Sequence, residues 1–256
     1  MGQPHFLIFE NSFKLTNFLI KKWYEIAQEA IAERGRFTIA LSGGRSPVEF
    51  YCRLAGFKDF DLWQKTHIFL VDERYVPPTH PDSNFRLLKE TFLDEIYIPP
   101  VNVHPMPTNL EDMDAAARQY EKTIQHVFKL SDGDLPAFDL IMLGIGEDGH
   151  TASLFPNHPE VDEKDKLVVS VPFNPIKYDR LSLTLPVINN AKHIFAVAQG
   201  PQKAAIVKHI QVGLRDFPIT RVHPSQGELV YLFDSKAARN ISFLNSYTHQ
   251  GDAISV

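Results

Sequence analysis

Phe138-Asp139-Leu140-Ile141-Met142-Leu143-Gly144-Ile145-Gly146-Glu147-Asp148-Gly149-His150-Thr151-Ala152-Ser153-Leu154-Phe155-Pro156 reads as a buried strand running into a glycine-rich turn. Leu140 to Leu143 form a short continuous apolar run, as expected of a parallel strand covered on both faces. Gly144, Gly146 and Gly149 let the backbone take positive φ or approach a ligand closely. Thr151 is placed to cap a short helix through Leu154, with Pro156 beyond it. His150 is then presented near a helix start, and Asp148, two residues away, is near enough to fix the tautomer of the imidazole or raise its basicity if the turn folds the two together. The long helix that dinucleotide binding needs after such a turn is missing.

Working outward, the same grammar repeats on both sides. Leu15, Leu19, Trp23, Ile26, Ala27, Ala30 and Ile31 recur at three- and four-residue steps, a helix from Leu15 to Ala32 that Gly35 ends. Phe37 to Leu41 reads as a strand stopping at Ser42-Gly43-Gly44, and Pro47 opens a helix to about Leu54. His67 to Val71 is a second strand, followed by Asp72-Glu73-Arg74, a proline-rich loop over Val76 to Pro81 and a helix from Ser83 to about Phe92. Met113, Ala116, Ala117, Tyr120, Ile124 and Val127 mark an amphipathic helix. Further strands are expected near Leu167 to Val171, Arg180 to Leu185, His193 to Ala198 and Leu229 to Phe233. Helices are expected from Pro201 to about Val212 and from Asp234 to about Leu244.

This alternation predicts a Rossmann-like α/β fold, a mainly parallel sheet with helices on both faces and ligands beyond the carboxyl ends of its strands. Apolar elements continue across the proline-rich loops near Pro99 and Pro172, so residues 1–256 are expected to form one domain. The 256 residues are 44% apolar and 22% charged, enough for a sizeable core. A net charge of −5 supplies no basic field for nucleic acid, and no apolar run is long enough to span a bilayer. The first ten residues lack the pattern of a secretory signal, which favours the cytoplasm. Cys52 is the only cysteine, excluding an internal disulfide, and is expected to pack as a small hydrophobe. None of the 11 histidines has metal-site spacing, so no metal is expected.

Two other strand ends carry chemistry. The N–H groups of Ser42, Gly43 and Gly44, with the start of the next helix, suit a phosphate, with Arg45 and Ser46 placed to assist; a tight turn is the plainer reading. Asp72, Glu73 and Arg74 put three charges where a buried strand ends, harder to explain as packing than charges on an exposed helix, although a local ion pair in a turn remains open. Arg180 and Lys203, each taken alone, read as solvated surface charges.

Taken together, Leu41-Ser42-Gly43-Gly44-Arg45-Ser46-Pro47, Val71 to Pro77 with Asp82-Ser83-Asn84, and Gly144 to Pro156 closely resemble the 6-phosphogluconolactonase family. The resemblance extends through Arg180 to Pro186 and Gly200 to Ala204. It implies hydrolysis of 6-phospho-D-glucono-1,5-lactone in the oxidative pentose phosphate pathway, with a phosphosugar lactone as partner and no cofactor. It further implies His150 as the base that activates water, Asp148 as its orienter and Asp72 as a group positioning sugar hydroxyls. Ser42, Gly43 and Gly44 would hold the phosphate with Arg74, Arg180 and Lys203. The sister family, glucosamine-6-phosphate deaminase, is the alternative, but its Asn-Glu-Pro is replaced here by Leu154, Phe155 and Pro156, and its Asp-Glu-Tyr by Asp72-Glu73-Arg74. A non-catalytic sugar-phosphate sensor would keep the phosphate loop and lose the chemistry. Arg45 and Ser46 stand where the family more commonly has Ser-Thr. Oligomeric state is left open.

Overall fold

The computed structural model of the protein describes residues 5–44, 46–57, 60–173, 178–214, 216–241, 248–250 and 253–255. In chain order the elements are β1 (His5–Phe9), α1 (Ser12–Arg34), β2 (Phe37–Leu41), α2 (Val48–Leu54), α3 (Phe60–Gln64), β3 (Thr66–Leu70), β4 (Asp72–Arg74), α4 (Asn84–Thr91), β5 (Val103–His104) and α5 (Met113–Phe128). They continue with β6 (Leu140–Gly144), β7 (Val168–Val171), β8 (Arg180–Leu183), α6 (Leu185–Asn189), β9 (His193–Ala198), α7 (Ala204–Gln211), β10 (Glu228–Asp234), β11 (Thr248–Gln250) and β12 (Ala253–Ser255).

Nine strands form one sheet in the order β11-β12-β1-β10-β9-β6-β2-β3-β5. Every pairing from β1 across to β5 is parallel, and the antiparallel pairings are the two that β12 makes, with β1 and with β11. This is the α/β fold expected from the sequence. From β1 to β5 the chain advances one way along the sheet; from β5 through β6, β9 and β10 it advances the other way. Because parallel crossovers are right-handed, that reversal puts α1 to α4 on one face and α5 to α7 on the other. The reversal lies between β2 and β6, so the crevice beyond their carboxyl ends is where such a sheet takes ligand.

The strands form where the sequence is continuously apolar. Phe37 to Leu41 is buried at every position, as is Leu140 to Leu143. Against them α1 presents Leu15, Leu19, Trp23, Ile26, Ala27 and Ala30, with Trp23 edge-on to Phe37 and Phe57. The Asn11 side chain caps α1 at one end, and Gly35 closes the other in the left-handed region at φ 72°.

Several expectations need correction. The strands expected near Leu167 and Arg180 join β4 in a separate three-stranded antiparallel sheet, β4-β8-β7. Val71 links the two sheets, its N–H donating to the Leu41 carbonyl and its own carbonyl accepting from Leu183. The expected strand from Arg180 ends at Leu183, and Leu185–Asn189 turns helical with a proline in its first turn. No helix runs from Thr151 to Leu154. The Thr151 hydroxyl donates to the Gly144 carbonyl instead of capping, Ala152 sits at φ 50°, and Leu154 bridges back to Thr151. After Asp234 the described residues 235–240 form turns, with the Asp234 carboxylate accepting from the backbone N–H groups of Gly200 and Ala237; residues 242–244 of the helix expected to about Leu244 lie outside the described residues. Cys52 is exposed, since α2 turns Phe50, Tyr51 and Leu54 inward. Among the described residues no helix is long and apolar enough to cross a membrane.

Candidate active site

One cleft of about 370 Å³ opens at the β2–β6 reversal, and Ser42, Gly43, Gly44, Asp72, Arg74, His150, Arg180 and Lys203 all line it. Residues at or beside the ends of five strands, β2, β4, β6, β8 and β9, thus meet in a space of the size that small-molecule sites have. Arg45 lies outside the described residues.

The turn after β6 folds the imidazole back over its own backbone. Gly146 N–H donates to the His150 carbonyl at 2.8 Å, and Gly149, at φ 82°, returns a bond to the Gly146 carbonyl. A side chain at Gly146 would put its Cβ 2.1 Å from His150 Nδ1, so only glycine lets the ring lie there. Asp148 Oδ1 sits 2.5 Å from His150 Nδ1 and also accepts the His150 backbone N–H. Burial pushes the Asp148 carboxyl up, but the hydrogen bond and charge of His150, with the backbone N–H groups, outweigh it and hold the carboxyl at about 2. Asp148 is therefore a carboxylate at neutral pH. With Nδ1 engaged, Nε2 is the ring nitrogen left for proton transfer. Phe155 packs against the ring at 4.5 Å between centroids.

The charges after β3 divide by direction. Glu73 points away from the cleft and is 1% exposed. Its carboxylate accepts from the Ser83 hydroxyl and from the backbone N–H groups of Arg74, Asn84 and Phe85. Burial pushes its pKa up against those four donors. Of the three charges it is the one with a structural task, holding the first turn of α4. Asp72 faces the cleft, with Oδ2 accepting from Ser153 Oγ at 2.6 Å. Ser153 Oγ in turn lies 3.4 Å from Arg180 Nη1, which is 4.0 Å from Asp72 itself.

Arg74 and Arg180 are directly opposed partners in the β4–β8 pairing. Like charges in that relation repel, and burial pushes the Arg180 guanidinium down, with Asp72 opposing and Arg74 adding to the shift. The Nε–H of Arg180 is buried with no acceptor among the described residues. Its guanidinium stacks on Phe155 and Phe173 at 5.5 and 5.8 Å. Two opposed cations and a buried donor without an acceptor make a cradle for an anion.

Gly43 and Gly44 offer backbone N–H groups at the end of β2, Gly44 at φ 90°. The Ser42 hydroxyl is buried and donates to the Met142 carbonyl, so what this residue offers a ligand is its backbone N–H, the group expected from the sequence. Lys203 closes the cleft from the short helical turn Pro201–Lys203 after β9. Sequence reasoning did not single out Asn84, Glu147, Ala152 and Gln202, which also line the cleft. Asn84 stood inside a recognised motif, but as the first residue of a helix it looks like any capping-region polar residue.

The sequence matches the profile of the glucosamine-6-phosphate isomerases/6-phosphogluconolactonase family over residues 10–231. The chain belongs to this family. Within it, a 6-phosphogluconolactonase from Synechocystis is 42% identical over 216 residues, covering 83% of this chain and 88% of that one. A probable 6-phosphogluconolactonase 1 from Oryza sativa is 38% identical over 94% of this chain and 85% of its own length. The crystal structure of 6-phosphogluconolactonase from Thermotoga maritima superposes with a TM-score of 0.79 at 30% identity, covering 91% of this chain and all of that one.

Proposed function

We propose that this chain, as one α/β domain, hydrolyses 6-phospho-D-glucono-1,5-lactone to 6-phospho-D-gluconate, the activity that names its relatives. One observation carries the reading: a carboxylate-held imidazole shares a cleft with two opposed arginines. A lactone is an activated ester, so its hydrolysis needs a placed water, a base and a grip on the rest of the molecule.

In this reading the backbone N–H groups of Gly43 and Gly44, with Arg74, Arg180 and Lys203, hold the 6-phosphate. Asp72, whose Oδ2 is taken by Ser153, turns its remaining acceptor capacity to the sugar hydroxyls. His150 Nε2 takes a proton from water, and the hydroxide forms a bond to C1 while the carbonyl π pair moves onto oxygen. When that pair returns, the bond from C1 to the ring oxygen breaks. The imidazolium gives its proton to the departing oxygen, which becomes the C5 hydroxyl, and the new carboxylic acid loses its proton to solvent. Asp148 stabilises the imidazolium throughout.

The reading is tested by assaying the purified protein in parallel for loss of the lactone, above its spontaneous rate, and for release of ammonia from glucosamine 6-phosphate. Enzyme-dependent lactone loss without ammonia is expected. Ammonia release would make the chain a deaminase, and phosphosugar binding with neither reaction would make it a sensor. Lys203→Ala should weaken 6-phosphogluconate binding about tenfold, the size of one charge-assisted hydrogen bond, with turnover little changed. Unchanged affinity by calorimetry would remove Lys203 from the phosphate grip.

A further inference from the structure

The side chain of Asn84 is 2% exposed yet reaches the cleft wall, and each of its polar atoms is spoken for. Its Oδ1 accepts from Arg74 Nη1 at 2.8 Å, and its Nδ2 donates to the Asp72 backbone carbonyl at 2.9 Å. Its backbone N–H donates to Glu73 Oε1 at 2.7 Å. The bond to Asp72 fixes which way the amide faces, because a flipped amide would set oxygen against oxygen there and NH₂ against the guanidinium. On its other side the amide presses on Gly43: a Cβ at that position would lie 1.8 Å from Oδ1. Gly43 has no need of a positive φ, so contact with this amide accounts for a glycine there.

We propose that Asn84 is a positioning residue of the phosphate grip, a buried amide that sets the Arg74 guanidinium and the Gly43 turn in register with each other. This rests on the assignment of Arg74 and Gly43 to the phosphate under the proposed function. Arg74 is a long side chain whose rotamers cost entropy to fix on binding. Its Nη1 is held at two points, Asn84 Oδ1 and the Asp82 carbonyl at 2.9 Å, so the cost is met before ligand arrives. An asparagine serves where a carboxylate would fail. It holds the guanidinium through one neutral acceptor and leaves the positive charge for the phosphate, whereas an aspartate would compete with the ligand as a counter-ion.

The test measures affinity for 6-phosphogluconate and for inorganic phosphate by calorimetry in wild type, Arg74→Ala, Asn84→Ala and the double variant, with kcat and KM for the lactone alongside. Asn84→Ala should weaken both ligands about tenfold and raise KM to match, with kcat held within about threefold, as for a lost hydrogen bond to a charged group. Because the amide's hydrogen bond to the grip is the one to Arg74, and only its contact with the Gly43 turn is left once Arg74 is gone, the double variant should bind within about threefold of Arg74→Ala alone, not a further tenfold worse. If thermal unfolding shows that Asn84→Ala does not fold, Asn84→Ser keeps the backbone bond to Glu73, is too short to reach Arg74, and carries the same expectation. Full additivity, a loss confined to 6-phosphogluconate, or a fall in kcat alone would each overturn the proposal. Wild-type protein that binds phosphate in this pattern but leaves the lactone to its spontaneous rate would sink the proposed function and leave the role of Asn84 standing.

Discussion

Replacing His150 by alanine is expected to lower turnover roughly 10²- to 10⁴-fold, the range for a lost general acid–base group and a loss of about 3 to 5 kcal/mol of transition-state stabilisation. Affinity for 6-phosphogluconate should stay within about threefold, because the imidazole acts on the water and the ring oxygen and not on the phosphate. The split follows from the geometry. His150 belongs to the turn after β6, while the proposed anion cradle is built from β4, β8 and the end of β2; among the contacts of the described residues the two share only the Phe155 ring, which the second ring under Arg180, Phe173, backs up when the imidazole is removed. Asp148→Asn is expected to fall between wild type and His150→Ala: the amide still bonds Nδ1 but no longer opposes the charge of an imidazolium. The Asp148 carboxyl is held at about 2, below its ordinary value. Its contribution is therefore complete above about pH 4 and is lost only as pH falls through about 2, so activity lost on acidifying to pH 5 does not come from protonating it. Wild-type turnover in His150→Ala, measured above the spontaneous rate, would remove the imidazole from the mechanism.

How this site arose from the sequence is uneven. The strand before His150 was legible because Leu140 to Leu143 is an unbroken apolar run, and such a run is buried on both faces of a parallel sheet. The crevice was legible because three such strands end in glycine or charge. The helix expected after His150 was not there, for a reason outside local pattern. Thr151 looks like a cap, but its hydroxyl bonds Gly144, seven residues back, and Ala152 takes a left-handed φ. The pairing of the small antiparallel sheet was invisible for a similar reason. Strands near Leu167 and Arg180 were expected, but the register that sets Arg74 opposite Arg180 joins segments about a hundred residues apart, and β4, of three residues, is too short to show a strand period. β5, of two residues, was equally out of reach. Glu73 and Asn84 illustrate a further limit: sequence gives the charges and amides at a strand end, but only packing decides which face the ligand and which hold the residues that do.

Arg180→Ala should weaken 6-phosphogluconate binding about 10²-fold, within the loss of a few kcal/mol usual when one partner of a largely desolvated charge pair is truncated. Three features make it worth more than Lys203. The Arg180 side chain is 17% exposed, so the field of its guanidinium is less screened by solvent. It is stacked between Phe155 and Phe173, which hold its plane with little entropy left to lose. Its Nε–H is a buried donor that a phosphate oxygen would satisfy. Arg180→Lys is therefore expected to recover only part of the loss, since an ammonium restores the charge without the planar fork or the stacking. Alanine also strips Asp72 of the guanidinium 4.0 Å away, leaving a carboxylate whose side-chain partner among the described residues is Ser153, so thermal stability should fall in Arg180→Ala and recover in the double variant Arg180→Ala/Asp72→Asn. Ligand affinity should not recover there, because the double variant mends the buried charge and not the grip. If affinity returned together with stability, the single variant's binding defect would be a folding defect, and Arg180 would have no place in the phosphate cradle.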